Sequence, residues 1–436
     1  MGTYATEVEQ GPFAVPLEER LALLAGCCEA MQQRPSVRVA QAHMSLFREK
    51  KWFVSSEGSK LEQLIVENGG RIMATAVGDD GIFQRRSFEN HAQGGYEFLL
   101  SLDLPAQAER CAAEAEALLS APVCPSGPRT VILGSSILAL QVHESCGHPV
   151  ELDRALGSEA SYAGTSFMTV DQLGLLQYGS PVVNITADAT LPGGLGTFGW
   201  DDEGTPAEAF PVIREGRFVN YLTSRETAWW LAHNHAPTCP VPPLPFSNGT
   251  MRADGWGHLP LIRMTNISLE PGERTWDELL ADSDGALFLD TPKSWSLDDK
   301  RLNFHFGTEV AYEIEGGRLG RMLRDASYTD RTPVVGSALA KSGPALAAVV
   351  VCSRDSKSVQ CRSLCASYAT LLECRLTGDP NLPSLNDFAA PRKGQPVRRL
   401  RVEREALVAR QVLVARAKES ARRLHHERLL LPAEDV

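Results

Sequence analysis

Three residues with metal-site chemistry, His143, Glu144 and His148, fall within six consecutive positions at the end of a segment that reads as a helix over residues 135–147. Neutral imidazole suits zinc, and a neighbouring carboxylate can take a proton from water activated by the ion. The usual hydrolytic arrangement spaces its histidines four apart, about 40° around an α-helix at ~100° per residue. Here the spacing is five, which is ~500°, or about 140° apart on a regular helix. Rings so placed could not reach one ion. The spacing therefore predicts a local irregularity. Either the helix widens into a π-bulge, which is frequent at functional sites, or it ends at Gly147 and the chain turns His148 back. Gly147 and Pro149 both favour such an ending. A histidine pair with a glutamate also arises by chance, so the surrounding sequence has to decide.

The chain has 436 residues, too many for a single core, and two domains are expected. Residues 17–33 read as a helix with apolar Leu21, Leu23, Leu24, Cys28 and Met31. Residues 37–86 alternate in short strand-like pieces, broken at Glu57-Gly58 and at residues 78–81. Residues 96–119 return to helix, and residues 121–128 form a Pro/Gly/Ser linker. The expected class is α+β. An N-terminal α+β domain spans 1–122, and a mostly β domain carrying the motif helix spans 130–333. Its strands are expected at 182–187, 210–213, 217–222, 286–289 and 304–314, with turns at Gly216 and Gly316-Gly317.

The net charge of −11 argues against a chain built to coat nucleic acid. No apolar run reaches the roughly 20 residues that span a bilayer, so no membrane contact is expected. Residues 1–10 lack the pattern of a signal peptide. Ten cysteines in a chain of this length form no dense framework, and the thiols are expected to be reduced in a cytoplasmic enzyme.

The segment 143–149 runs into Glu151-Leu152-Asp153-Arg154-Ala155-Leu156-Gly157 and then residues 162–167. Residues 188–197, 201–206, 221–228, 263–266, 294–304 and 328–333 follow in order. Together these motifs resemble the HExxxH region and downstream segments of TldD/PmbA-type metallopeptidases, densely over 130–333 and loosely over the N-terminal domain. The resemblance is to the metal-bearing, TldD-like subunit. It implies a two-domain, cytoplasmic peptidase acting on unfolded or extended peptide segments. It also implies pairing with a PmbA/TldE-like subunit, or with a second copy as a homodimer. By residue matching, His143 and His148 carry over as ligands of Zn2+ or a similar divalent metal, and Glu144 as general base. The family's third ligand is a cysteine in a Cys-Gly-Lys-Gly segment.

Other residues admit a functional and a plainer reading. Asp201, Asp202 and Glu203 could orient a histidine ring, or form a solvated acidic turn. Arg225 and Arg263 could hold a peptide carboxylate, or form structural ion pairs. Gly193, Gly194 and Gly196 allow close approach of substrate or of a neighbouring strand. His305 reads as a packed histidine, and Trp295 and Phe304 as core.

After residue 333 the family pattern stops, and no Cys-Gly-Lys-Gly is present. The remainder, 334–436, is a divergent basic tail carrying Cys352, Cys361, Cys365 and Cys374. Its residues 391–428 hold twelve Lys/Arg against four Asp/Glu. That excess invites a nucleic-acid reading, but the tail lacks interleaved aromatics and reads as a helix with a solvated face. We hypothesise a frameshift near codon 335, because permitted codons of residues 359–366, read in another frame, spell a family-like segment. The plainer alternative is a genuinely divergent tail. The nucleotide sequence decides: if no alternative frame restores Cys-Gly-Lys-Gly, the idea is wrong. With two histidines alone, metal affinity falls and the chain becomes a candidate for a non-catalytic, peptide-binding scaffold, since hydrolytic zinc usually has three protein ligands.

Overall fold

The turn signals at residues 57–58 and 78–81 do end hairpins, with Gly58 and Gly81 at positive φ. The strands between them are longer than the sequence pattern suggests. In the computed structural model, residues 1–235 and 243–333 are described in full. The strands Ala348–Cys352, Val359–Ser363, Thr370–Leu376 and Gln411–Ala415 are described by backbone alone. The chain opens with β1 (Gly2–Ala5), α1 (Leu17–Met31), β2 (Val37–Val54), β3 (Lys60–Val77), β4 (Phe83–Gln93), α2 (Tyr96–Ser101) and α3 (Leu104–Ser120). β3 is the hub of this sheet, antiparallel to β2 and β4 and parallel to β1.

Burial alternates along the first half of β2, as it must where one face meets a core. α1 and α3 supply that core with Leu24, Cys27, Cys28, Met31, Cys111 and Ala115. Leu21, expected on the apolar face of α1, is instead exposed. The outer half of the β2–β3 hairpin leaves this core and braces the rest of the molecule. Lys51 pairs with Asp202 at 2.5 Å, and the Gln63 amide spans Gly199 N and Trp200 O.

The remainder continues with β5 (Gly127–Leu133), α4 (Ser135–Val142), a π-turn (His143–Gly147), α5 (Leu152–Ala155), β6 (Ile185–Asp188), β7 (Ala209–Arg214), β8 (Arg217–Phe218), α6 (Arg225–His235), β9 (Met251–Arg252), β10 (Leu261–Ile262), β11 (Asn266–Leu269), α7 (Trp276–Ala281), β12 (Leu287–Leu297), β13 (Asn303–Glu315), β14 (Arg318–Leu323) and β15 (Ser327–Arg331). β6 lies between β7 and β11 in one sheet. β12 lies between parallel β5 and antiparallel β13 in another, and β13 also pairs with β14 and β15. A single apolar cluster fills the space between these sheets and takes in α4 and the π-turn. The fold is α+β, as the pattern predicts.

The segment 121–128 is tied to the residue after β14: Cys124 N donates to Arg324 O and Arg324 N to Pro122 O, at 2.9 and 3.0 Å. One expectation needs correction. Trp295 is not core. It stands 42% exposed because β12 runs past the edge of the apolar layer, whereas Phe304 opposite Leu297 is buried. Glu309 on β13 joins the two halves: its buried carboxylate accepts from Arg85, Arg86 and both Ser87 donors. No helix among the described residues is long and apolar enough to cross a membrane.

Candidate metal centre

α4 is apolar almost all round and buried through Ile137, Leu138, Ala139, Leu140 and Val142, so its position is fixed by packing on every side. At its end the hydrogen-bond ladder changes. His148 N donates to His143 O at 3.1 Å, an i→i+5 bond that closes a π-turn over His143–Gly147. The widened turn brings residues five apart onto one face. Of the two irregularities the spacing allows, the chain adopts the π form. The turn is held from outside. Tyr178 donates to Ser145 O at 3.2 Å, and Gln141 bridges Ser145 Oγ and the Tyr328 hydroxyl. Gly147 is needed for packing: a Cβ there would lie 2.0 Å from Met264 Sδ.

The two imidazoles converge. Their Nε2 atoms lie 3.1 Å apart, with the rings at 88°. Two nitrogens bound tetrahedrally to one zinc at 2.0–2.1 Å sit about 3.3–3.4 Å apart, so the pair is spaced for a shared ion. His148 Nδ1 lies 2.9 Å from Glu151 Oε2. A proton on Nδ1 donated to Glu151 is the arrangement that would leave the Nε2 lone pair facing His143. Burial, with His148 alongside, pushes the His143 imidazole well below its ordinary pKa, so it is neutral and a lone-pair donor at pH 7. Its Nδ1 is buried and has no hydrogen-bond partner among the described residues.

The ligand atoms of His143, Glu144 and His148 all lie within 4.8 Å of one another. Glu144 is buried and paired through Oε2 with Arg301 Nη1. Behind His148 runs a chain of buried charges. Glu151 accepts from Arg154 Nε and Nη2 at 3.0 and 2.8 Å, and Arg154 and Arg263 both meet Glu159, at 3.4 and 2.6 Å. Burial alone would raise the Glu151 carboxyl, but His148, Arg154 and Arg263 outweigh it and hold it well below the usual carboxylate range. Burial, reinforced by Glu151 and Glu159, pushes Asp153 up to about 7.

The residue that orients His148 is thus Glu151, not the acidic stretch 201–203. Asp201 is spent on the backbone N–H groups of Glu203, Thr205 and Met251. Asp202 holds Lys51 and Ala253 N, and Glu203 accepts from Arg225 N. Arg225 and Arg263 form structural ion pairs with Glu57 and Glu159. Gly194 and Gly196 admit a neighbouring strand, since Cβ atoms there would lie 2.4 Å from the Asn266 side chain and 2.6 Å from the Thr265 backbone. His305 is half-buried in β13.

No cysteine joins the cluster among the described residues. Cys146 faces the core, where burial pushes its thiol far up. Cys352, Cys361 and Cys374 lie in strands described by backbone alone, and Cys365 lies outside the described residues.

The chain has relatives among known proteins. Residues 126–347, just over half of the chain, match the family model described as the PmbA/TldA metallopeptidase C-terminal domain. A metalloprotease of Methanocaldococcus jannaschii is 27% identical over 328 residues, covering 73% of this chain and 65% of that one. One of Archaeoglobus fulgidus is 28% identical, covering 76% and 71%. A protein of Saccharolobus solfataricus named a zinc metalloprotease TldD homolog is 22% identical, covering 48% and 42%. The chain thus spans a little under two thirds of the length of the M. jannaschii relative. Among solved structures, TldE from Thermococcus kodakarensis superposes with a TM-score of 0.61 at 15% identity over 81% of this chain and 72% of that one. A Thermotoga maritima protein described as a candidate modulator of a DNA gyrase reaches 0.64 at 19% identity, over 85% and 77%. These two share the fold.

Proposed function

The chain belongs to the PmbA/TldD metallopeptidase family, and we propose that it is a metal-dependent peptidase that cleaves unfolded or extended peptide segments. In this reading His143 and His148 hold a divalent cation, zinc or one like it, through their facing Nε2 atoms, and Glu144 is the general base. The observation that carries it is the 3.1 Å approach of two buried imidazole nitrogens across a π-turn, with a carboxylate at their side. When bound, the cation supplies Lewis acidity toward a peptide carbonyl and activates water as a nucleophile. The chain's own residues do the rest. Glu151 holds His148 in the tautomer that points a lone pair inward. Glu144 accepts the proton of the attacking water and passes it to the leaving amine. A PmbA/TldE-like partner subunit, a cytoplasmic site of action and the division into domains 1–122 and 130–333 belong to the same proposal.

A second reading has one observation in its favour. Among the described residues the cluster is His143, Glu144 and His148, with no third ligand of the kind hydrolytic zinc sites use. The chain would then be a non-catalytic subunit that binds peptides or its partner. Zinc analysis and a casein-cleavage assay separate the two. Catalysis predicts bound zinc that His143→Ala removes together with cleavage, and a Glu144→Gln variant that keeps zinc and loses activity. Cleavage surviving Glu144→Gln would eliminate the proposed base.

A further inference from the structure

Arg301 is the partner of Glu144, and its backbone is unusual. It sits in the turn between β12 and β13 at φ +63°, the left-handed region that an arginine adopts only under constraint. Gly, Asn and Asp are the ordinary occupants of such a turn position. The constraint is visible. Asp298 accepts from Leu302 N and Asn303 N, and Arg301 N donates to Asp298 O at 3.0 Å. Thr332 Oγ1 lies 3.2 Å from Arg301 O and from Ser145 Oγ of the π-turn. Thr165 N and Phe167 N donate to Asp299 O and Lys300 O, docking the turn on the loop that follows the motif. A Cβ at Gly164 would lie 2.3 Å from Asp299 O, so the approach is as close as it can be. Backbone held in a disfavoured region by its surroundings is a mark of functional sites. Here it aims a permanently charged guanidinium at a carboxylate that is only 4% exposed.

We propose that Arg301 is a positioning residue that pins the Glu144 carboxylate beside the facing imidazoles, and that the strained turn is retained for that purpose. The proposal rests on the reading of Glu144 as general base. A buried carboxylate without a compensating charge would be free to reorient. Arg301 prevents that by holding the carboxylate in place.

The test uses the full chain with fluorescently labelled casein, zinc titration and thermal melting. Arg301→Ala and Arg301→Gly are expected to lower kcat about a hundredfold, the effect of misplacing a reacting group, with KM little changed. Both bind zinc no more weakly than the parent. The glycine variant melts higher than the alanine variant, because glycine relieves the left-handed strain, yet gains no activity. Arg301→Lys recovers part of kcat, and Arg301→Ala in a Glu144→Gln background loses nothing more. The proposal is overturned if Arg301→Ala keeps kcat, if activity follows melting temperature across the two variants, or if zinc is lost with Arg301. A crystal structure of Arg301→Ala decides without turnover: a displaced Glu144 carboxylate supports the proposal and an unmoved one overturns it. Should Glu144→Gln itself keep cleavage, the base assignment falls. Should Glu144→Gln be inactive while Arg301→Ala is active, only the role of Arg301 falls.

Discussion

Replacing Glu151 by glutamine tests whether the buried network behind His148 serves the metal pair. The carboxylate is fully buried and faces His148 Nδ1 and two nitrogens of Arg154 through a single oxygen. Removing one partner of a buried ion pair costs about 3–5 kcal/mol. Arg154 keeps a contact with Glu159 at 3.4 Å, which offsets part of the loss and places Glu151→Gln near the lower end, about 3 kcal/mol. The amide can still accept from His148 but no longer as an anion, so zinc affinity should fall roughly tenfold, the mild end of the range for such partners. Urea unfolding and zinc titration at pH 7 measure the two effects. The pH dependence has a definite sign. The native carboxyl is held below its unfolded value, so its contribution is present above about pH 4.3, the ordinary glutamate value, and is lost as pH falls through the native pKa. The gap between parent and variant should be flat from pH 6 to 8 and narrow in acid. A loss under about 1 kcal/mol, an unchanged zinc affinity, or a gap that widens in acid would refute the reasoning.

Gly147→Ala should destabilise by about 1–3 kcal/mol through overpacking, since the new Cβ would lie 2.0 Å from Met264 Sδ; a double-mutant cycle with Met264→Ala should show coupling in urea unfolding, and additivity would remove the contact as the cause. Asp153, pushed up to about 7 by burial and the neighbouring Glu151 and Glu159, contributes stability below the unfolded aspartate value that is lost as pH rises through 7. Asp153→Asn should therefore gain on the parent by roughly 2–4 kcal/mol between pH 4 and pH 8; a pH-independent difference in unfolding free energy would contradict the burial argument.

How much of this was legible in the sequence depends on how local the cause is. The irregularity at 143–148 was, because a five-residue spacing and a shared ion are incompatible with a regular helix, but its π form rather than a helix end at Gly147 was not. The approach of His143 to His148 was legible for the same reason, while their role as ligands belongs to the proposal. Glu151 carried a signal that went unread: a carboxylate three residues after a histidine, across a tight turn, reaches its ring nitrogen. The run 201–203 drew attention because three acids stood together, yet short acidic side chains in a turn are consumed by their own backbone. Trp295 looked like core because apolar pattern does not say where a sheet outruns its layer. Arg301 could not be found at all, since a left-handed backbone at a non-glycine residue is imposed by distant groups, here Thr332 and the loop 164–167.

The charges around the imidazole pair lead to a last prediction. Glu144, Glu151 and Glu159 face Arg301, Arg154 and Arg263, three carboxylates against three guanidiniums. The three ion pairs therefore largely cancel before any cation enters. Nothing among the described residues offers an anionic ligand beyond Glu144, which Arg301 already holds. A divalent ion gains little long-range attraction here, and its affinity must come from the ligand bonds themselves. An anionic thiolate in a third position would supply the missing charge, as soft donors do for zinc and cobalt. Cobalt substitution makes this measurable. In the full chain the cobalt spectrum should lack a sulfur-to-metal charge-transfer band. Adding a small monothiol should create that band and tighten cobalt binding, and His143→Ala should abolish both effects. A charge-transfer band without added thiol would refute the open position and assign it to a cysteine of the chain, with Cys352, Cys361, Cys365 and Cys374 as the first to replace.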